Sequence, residues 1–571
     1  MKTYLLTDLF NKLKALDGLT YKNYKKIKGM FKSQNWNLII DTAQADPSSP
    51  PSHLRIQVPN MLNGFPAIYL DDLDSKIPLS DFILRKFNLL LKKFSHHSGS
   101  GKSGIFYTDT PGPQILERSS IYFSKKYIEL RFRYGLPAKG NRIDSKAMLK
   151  TLELGITGIV SKILTYSAYN TDELSKYINF YKQQNCLRNK LKEKNIIAFI
   201  PDGAILPRES GQSFLPLKDA IPFKSPENMK QTFTLSPNNK ITGMAIPRGV
   251  TFITGGGFHG KSTLLNAIKY GIYNHIEGDG REFVVSNIST FKINAEDKRY
   301  ASGINISPYI HNLPLEKSST HFSSKQCSGS TSQAATVIES IRMGAKSLLF
   351  DEDTSATNFL ICDKGMKEII GEKDKTITPY LESARSLLKK HGVSTIIVAG
   401  SFSPSLITAD IILKMSNYQV YDITSFAKDI INSSNSSNIN EENFNSQALE
   451  SSRIIDTSKF RINKRTRPFK TKLLTKDKIM IDTTVIDFHD NEQLIDITQT
   501  KTLLELLIKF EELIFKKRIS CENAVTQLFL NLEEIESISQ NRSGFTMVRP
   551  IDFAHLINRF RFLNIISPQT K

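Results

Sequence analysis

The run Gly255-Gly256-Gly257-Phe258-His259-Gly260-Lys261-Ser262-Thr263 has residue types and spacing suited to phosphate chemistry. It fits G-x-x-x-x-G-K-[ST], in which glycines let successive backbone N–H groups turn inward onto phosphate oxygens. A helix start at the same point adds a partial positive charge. Gly255, Gly256, Gly257, His259, Gly260, Lys261, Ser262 and Thr263 are therefore the expected contacts of a nucleoside triphosphate. Lys261 is spaced to reach the β- and γ-phosphates, and the Ser262 hydroxyl to ligate Mg²⁺. Downstream, Ser347-Leu348-Leu349-Phe350-Asp351-Glu352-Asp353 is an apolar run ending in carboxylates. Asp351 is placed to hold Mg²⁺, and Glu352 to take a proton from an attacking water. Carboxylates at a buried strand end cost free energy without a metal or a donor, which disfavours a purely structural role.

These residues need particular elements around them. Arg248-Gly249-Val250-Thr251-Phe252-Ile253-Thr254 reads as a short buried strand entering the glycine loop, and Leu264-Leu265-Asn266-Ala267-Ile268 as the helix leaving it. Ahead of the carboxylate strand, Ser328, Gly329 and Ser330 open a helix that continues through Thr336-Val337-Ile338-Glu339-Ser340-Ile341. Their N–H and hydroxyl groups form an anion site, although a capped helix would account for the serines as well.

A second Gly-Lys-Ser lies in Ser98-Gly99-Ser100-Gly101-Lys102-Ser103-Gly104, but His96 stands five positions before Gly101 where the pattern needs glycine. A strand-like run, Ile105-Phe106-Tyr107, follows where a helix should begin. A glycine nest holding a phosphate and a flexible loop are the two remaining readings.

At 571 residues the chain exceeds a single core. No apolar run reaches the ~18 residues of a membrane span, so no membrane partner is expected. The start of the chain has neither a secretory nor a transit composition. Cys186, Cys327, Cys362 and Cys521 match no zinc or disulfide spacing, which points to a reduced intracellular compartment, the cytoplasm first. The formal charge of +20 favours polyanionic partners, RNA or DNA, unless it is only a solvated basic surface.

The remaining pattern is α/β. Asn37-Leu38-Ile39-Ile40-Asp41 and Asn195-Ile196-Ile197-Ala198-Phe199-Ile200 read as strands. Tyr127 to Arg133 alternates with period two and predicts a half-buried strand with Arg131 and Arg133 on one face. Pro237-Asn238-Asn239 reads as a hairpin turn. The boundaries expected are an α/β N-terminal domain (1–247), a P-loop domain (248–428), a disordered Ser/Asn-rich linker (429–460) and a small α+β C-terminal domain (461–571). The last opens with a basic run, Arg461, Lys464, Arg465, Arg467, Lys470 and Lys472, expected to bind nucleic acid.

The order of glycine loop, Ser-Gly helix start and strand-Asp-Glu resembles the ATP-binding-cassette class. Longer runs sharpen the resemblance: GGGFHGKSTLLNAI, GIYNHIEGDGREFVV, SGSTSQAA, FDEDTSATNF and GVSTIIVAG, with YGLPAKGNRI and IPDGAILPR upstream. On these the chain is identified as a member of the predicted ATPases of the ABC class, with that family's own N- and C-terminal domains. The resemblance implies an ABC-type P-loop fold, ATP and Mg²⁺ as ligands, and a homodimer that sandwiches ATP. Ser328, Gly329 and Ser330 would then meet the γ-phosphate of the other subunit, and Ser355-Ala356-Thr357-Asn358 would stand at the loop coupling the two sites. The chain departs from the class after the strand near 306, where the usual Gln is missing and Asn305, Ser307 and Asn312 are the polar residues available. Val398-Ala399-Gly400-Ser401 lacks the usual switch His, and Asp353 replaces a Pro- or Ala-type residue. The γ-phosphate must be sensed by other groups. An ATPase acting on or with RNA is the first functional expectation, and a nucleotide-gated protein clamp with slow or no hydrolysis the second.

Overall fold

The structure, a computed structural model, describes the chain except residues 1, 96, 98, 212, 314–317, 361–375, 401–407, 434–443, 459, 461–462, 465–466, 469, 533 and 567–571. Cys362, Ser401, Arg461, Arg465 and the middle of the expected linker therefore lie outside the described residues. The chain divides into two units, one of residues 1–182 with 532–547, the other of residues 183–531 with 548–571. Part of the expected C-terminal domain thus belongs with the first unit.

In the first unit, strand β1 (Thr3–Leu5) leads into helix α1 (Leu6–Leu16), which buries Leu9, Leu13 and Leu16 at helical spacing. Strands β2 (Gly29–Lys32), β3 (Asn37–Ile40) and β4 (Ser52–Pro59) follow, then helix α2 (Leu73–Phe94). Strands β5 (Phe106–Tyr107), β6 (Ile121–Phe123) and β7 (Tyr127–Tyr134) complete a sheet ordered β1-β2-β3-β4-β7-β5, with β6 also paired to β7. One expectation fails here. β7 is buried almost throughout, because Glu536 and Ser539, some four hundred positions later, cover its polar face. Arg131 is only 1% exposed and donates to Glu129 (2.6 Å), Glu536 (2.5 Å) and Ser539 (3.0 Å). Arg133, on the same face, is exposed.

The second unit carries the nucleotide loop. Strands β8 (Ile196–Pro201), β9 (Lys230–Ser236) and β10 (Asn239–Pro247) form an antiparallel sheet in which β9 and β10 make the expected hairpin. Strand β11 (Val250–Thr254) enters the loop, and helix α3 (Lys261–Tyr270) leaves it. Strand β12 (Val285–Ser286) adds to β8, and β13 (Thr290–Lys292) begins the edge of the main sheet. Then come helix α4 (Gly329–Arg342), strand β14 (Ser347–Asp351), helix α5 (Tyr380–His391) and strand β15 (Ser394–Val398). Strands β16 (Ile411–Ser416) and β17 (Gln419–Asp422) and helix α6 (Thr424–Ser433) follow. The main sheet runs β13-β14-β15-β11-β16-β17, parallel except for β17. Its strands read as unbroken apolar runs because both faces are covered.

The linker is folded at both described ends. α6 runs into it, and beyond residues 434–443 Phe444 and Ala448 are buried in the core that also holds Phe350 and Tyr380. After it, strands β18 (Thr471–Thr475), β19 (Lys478–Ile481) and β20 (Thr484–Asp487) form a meander. Helices α7 (Ile497–Ile514), α8 (Cys521–Leu530) and α9 (Pro550–Arg559) complete the unit.

Candidate nucleotide site

The loop between β11 and α3 is shaped by two glycines. Gly260 sits at the helix N-cap with φ +95°, and Gly255 has φ +140° with Met415 of β16 so close that a Cβ would lie 2.3 Å from its carbonyl oxygen. A side chain at either position would be strained. The Lys261 ammonium donates to the Gly255 and Gly256 carbonyls at 2.8 Å each, so its charge is held over the loop. Ser262 and Thr263 lie in the first turn of α3, half-buried. His259 is used differently from its neighbours. Its Nδ1 accepts from Asn417 N–H (2.9 Å) and its carbonyl from Tyr418 N–H (3.1 Å), so its ring faces the β16–β17 turn and secures the loop to it.

Register fixes the carboxylates relative to this loop. Asp351 pairs with Val398, and Val398 pairs with Ile253, so β15 separates the carboxylate strand from the loop strand. Asp351 therefore stands two strands, roughly 10 Å, from the end of β11. It is 6% exposed, and among the described residues its side chain takes only a long contact, 3.3 Å, from Asp353 N–H to Oδ1. A nearly buried carboxylate with lone pairs to spare and a hydroxyl on the loop helix are hard oxygen donors of the kind Mg²⁺ selects. Glu352 follows in a short 3₁₀ turn, and its Oε2 accepts the Gly400 N–H at 2.7 Å. Gly400 acts here through its backbone N–H, and no side-chain pattern would have revealed that role.

Ser328 caps α4. Its Oγ accepts from Thr331 N–H (3.4 Å) and lies 3.4 Å from the Ser330 hydroxyl. Gly329 packs near Ala356 and Ala295, and its carbonyl accepts from the Ser332 hydroxyl. The hydrogen bonds of this trio are thus local, and none reaches the glycine loop among the described residues. Gln333, which sequence reasoning missed, ties α4 to the segment after β14 by donating to Ser355 Oγ (2.9 Å) and accepting from Ala356 N–H (3.0 Å). Asn305 is consumed by its own turn, accepting from Ser307 N–H and Oγ. Asn312 occupies a left-handed backbone position with φ +45°.

The C-terminal segment braces both halves of this arrangement. Glu492 bonds Lys269 on α3, Lys292 at 2.6 Å and Asn294 at 2.9 Å. Asn294 in turn accepts from Thr354, two residues past Glu352. Burial pushes the Glu492 carboxyl up, but the Lys269 and Lys292 ammonium groups outweigh it and hold it down at about 2. Arg559 of α9 pairs with Glu296, whose N–H donates to Ser332 on α4. In the basic run, Asn463–Lys464 pairs with Arg467–Pro468, and Lys470 and Lys472 are exposed at the start of β18.

A parallel sheet with a glycine loop between strand and helix, and carboxylates at the end of a second strand, defines a P-loop nucleotide-binding fold. The comparisons give the class within it. Residues 6–167 match the N-terminal domain of the ATPases of the ABC class, 170–451 the ABC ATPase P-loop domain, and 470–566 the MRB1590 C-terminal domain. The chain belongs to the family of ABC-class ATPases that carry N- and C-terminal domains of their own. It is similar to an uncharacterized protein, MJ1628, of Methanocaldococcus jannaschii, 31% identical over 272 residues. That alignment covers 45% of this chain and 58% of the relative, so the chain spans little more than half the relative's length. Among solved structures, the ADP conformation of MJ1267, an ATP-binding cassette of an ABC transporter, aligns at 15% identity over 36% of this chain and 93% of its own, with a TM-score of 0.22. CbiO1 from Clostridium perfringens, part of the ABC transporter complex cbiONQ, aligns at 15% identity over 42% and 95%, with a TM-score of 0.24. No helix among the described residues is long and apolar enough to cross a membrane.

Proposed function

We propose that this chain binds Mg·ATP on the loop Gly255–Thr263 and hydrolyses it within a homodimer, acting on or with RNA. The observation that carries the reading is the loop itself. Lys261 is held over a glycine cradle at a helix start, with Asp351 and Glu352 two strands away in fixed register. Lys261 neutralises the β- and γ-phosphates as charge develops. Ser262 and Asp351 would hold Mg²⁺, which when bound screens the phosphate oxygens. Glu352 takes the proton of the attacking water, oriented by the Gly400 N–H. Ser328, Gly329 and Ser330 at the start of α4 would serve the γ-phosphate of a second copy, which makes the dimer necessary for turnover. The excess charge of +20 supports a polyanionic partner, RNA first.

The test is the ATPase rate of wild type and Glu352→Gln, each with and without single-stranded RNA. Hydrolysis that RNA stimulates and the substitution abolishes is expected. Equal rates for the two proteins would remove Glu352 from the mechanism, and a rate indifferent to RNA would remove the RNA reading. One observation favours a second reading, a nucleotide-gated protein clamp. The run Val398-Ala399-Gly400-Ser401 carries no histidine, and the Gly400 N–H that bonds Glu352 can hold a carboxylate but cannot shuttle a proton as a histidine does. A nucleotide-dependent dimer without measurable hydrolysis is the result that reading expects.

A further inference from the structure

A cavity of about 670 Å³ runs along helix α3 from Thr263 to Tyr270 and out to the β18–β19 turn. That volume falls in the roughly 300–1,000 Å³ range of ligand sites. Its walls carry two aromatic rings and four cations against a single acid. Phe214 and Tyr270 meet edge to face, ring centres 6.1 Å apart at 76°, and both are half-buried. The Lys269 ammonium lies 4.4 Å from the Tyr270 ring centre.

The charge here is in excess. Glu492, the one acid, is already shared between Lys269 and Lys292. Arg208 is matched to Asp279 at 3.1 Å. Arg281 is 5% exposed, and its guanidinium donates to the Leu206 carbonyl, a dipole rather than a counter-charge. Burial first, then the Arg208 charge beside it, pushes the Arg281 pKa down to about 9. A buried arginine in that condition is relieved by an incoming anion. Lys476 stands exposed at the rim, with Ser210 and Gly211 exposed on the facing loop.

Rings that can stack with any base, flanked by cations that track a phosphate backbone, form the combination by which single strands are held. We propose that this cavity binds a segment of single-stranded nucleic acid, one base against Phe214 and Tyr270 and the adjoining phosphates toward Arg281 and Lys476. A duplex keeps its bases stacked and offers none to the rings. The exposed rim lets a strand continue outward, which distinguishes the site from a closed pocket for one nucleotide. The proposal rests on the RNA-associated reading above and gives it a location on the helix that starts at the triphosphate loop.

The test is fluorescence anisotropy of a fluorescein-labelled oligouridine titrated with the full chain at several salt concentrations. Phe214→Ala is expected to weaken binding about 5- to 100-fold, the range of a lost base stack. Lys476→Ser, at an exposed position, is expected to reduce the log–log salt slope by about 0.7. Thermal melting checks that Phe214→Ala is folded. If wild type binds the oligomer and both variants bind it alike, this site is rejected while the RNA reading stands. If wild type does not bind it, both fall. Displacement of the strand by uridine monophosphate at equal concentration would also overturn the proposal, since the cavity would then be a mononucleotide site. The same sequence in DNA, bound as well as RNA, would uphold the site as one for single strands of either sugar.

Discussion

Gly260-Lys261-Ser262 and Gly101-Lys102-Ser103 are the same three residues in two settings. The first lies between a buried parallel strand and a ten-residue helix, with Lys261 turned back over the loop. In the second, the backbone groups that would meet phosphate are spent on protein carbonyls. Ser100 N–H donates to Ala138, Lys102 N–H to Pro47 and Gly104 N–H to Gly135, all within 2.9 Å. The Lys102 ammonium donates to the Ser49 carbonyl at 3.3 Å, and the Ser103 hydroxyl, fully buried, to that of Ser100. Glycine serves close packing there. A Cβ on Gly99 would lie 1.8 Å from the Ala138 carbonyl oxygen, and one on Gly135 1.8 Å from that of Lys102. The difference teaches that the tripeptide binds phosphate only when a strand delivers it and a helix follows, because only then do its N–H groups converge without protein partners.

The sharpest break between the loops is chemical. Glu352→Gln should retain ATP binding and lower turnover about 10²–10⁴-fold, the range for a lost general base. Steady-state phosphate release with a parallel calorimetric titration measures both. Wild-type turnover in the variant would place the base elsewhere, Asp353 first. Next in size, Lys261→Ala should weaken Mg·ATP about 10- to 100-fold, the worth of charged hydrogen bonds to the phosphates. Calorimetry with unchanged affinity would remove the loop from the site.

How much of this was legible in the sequence depended on distance along the chain. β11, α3, β14 and the α4 cap were each readable because strand, turn and helix signals sit within one short run. The hairpin of β9 and β10 was legible for the same reason. The burial of Arg131 was not, since its cover arrives from Glu536 and local alternation predicts a wet face. The tie of His259 to Asn417, the Gly400 N–H on Glu352 and the Lys269–Glu492 pair all join residues far apart in sequence. Gly400 and Asn417 act through backbone groups, which residue identity does not reveal.

The open loop differs again in what anchors its helix. Glu492→Gln would leave Lys269 and Lys292, 2% and 6% exposed, sharing an uncharged amide. Breaking a buried pair costs about 3–5 kcal/mol, and the partial exposure of Glu492 reduces this to about 2–4 kcal/mol. The pH dependence has a definite sign. A carboxyl held at about 2, below its ordinary 4.5, contributes stability that is full above about 4.5 and is lost as pH falls toward about 2. Wild type should therefore lose its melting-temperature advantage over Glu492→Gln across that window, and a constant difference would refute the linkage.

The closed loop has its own steric prediction. Gly135→Ala places a methyl against the Lys102 carbonyl and should cost about 1–3 kcal/mol in urea unfolding. Gly257→Ala, in the open loop, meets nothing within 4 Å and should unfold as wild type does. Equal losses at the two positions would mean that the loops are packed alike.

The smallest effect belongs to Lys102→Ala, and it tests the comparison from the other side. If Gly101-Lys102-Ser103 were a second phosphate cradle, losing its only ammonium would lower nucleotide stoichiometry or affinity much as Lys261→Ala does. The geometry argues otherwise, since Lys102 reaches a neutral carbonyl across 3.3 Å and its N–H is bonded to Pro47. One charge-assisted hydrogen bond at a partly exposed site is worth about 1 kcal/mol or less. Calorimetry should give the same Mg·ATP affinity and stoichiometry as wild type, and urea unfolding a shift of that size at most. A halved stoichiometry would make the second loop a nucleotide site, and strand-before and helix-after would no longer separate an open Gly-Lys-Ser from a closed one.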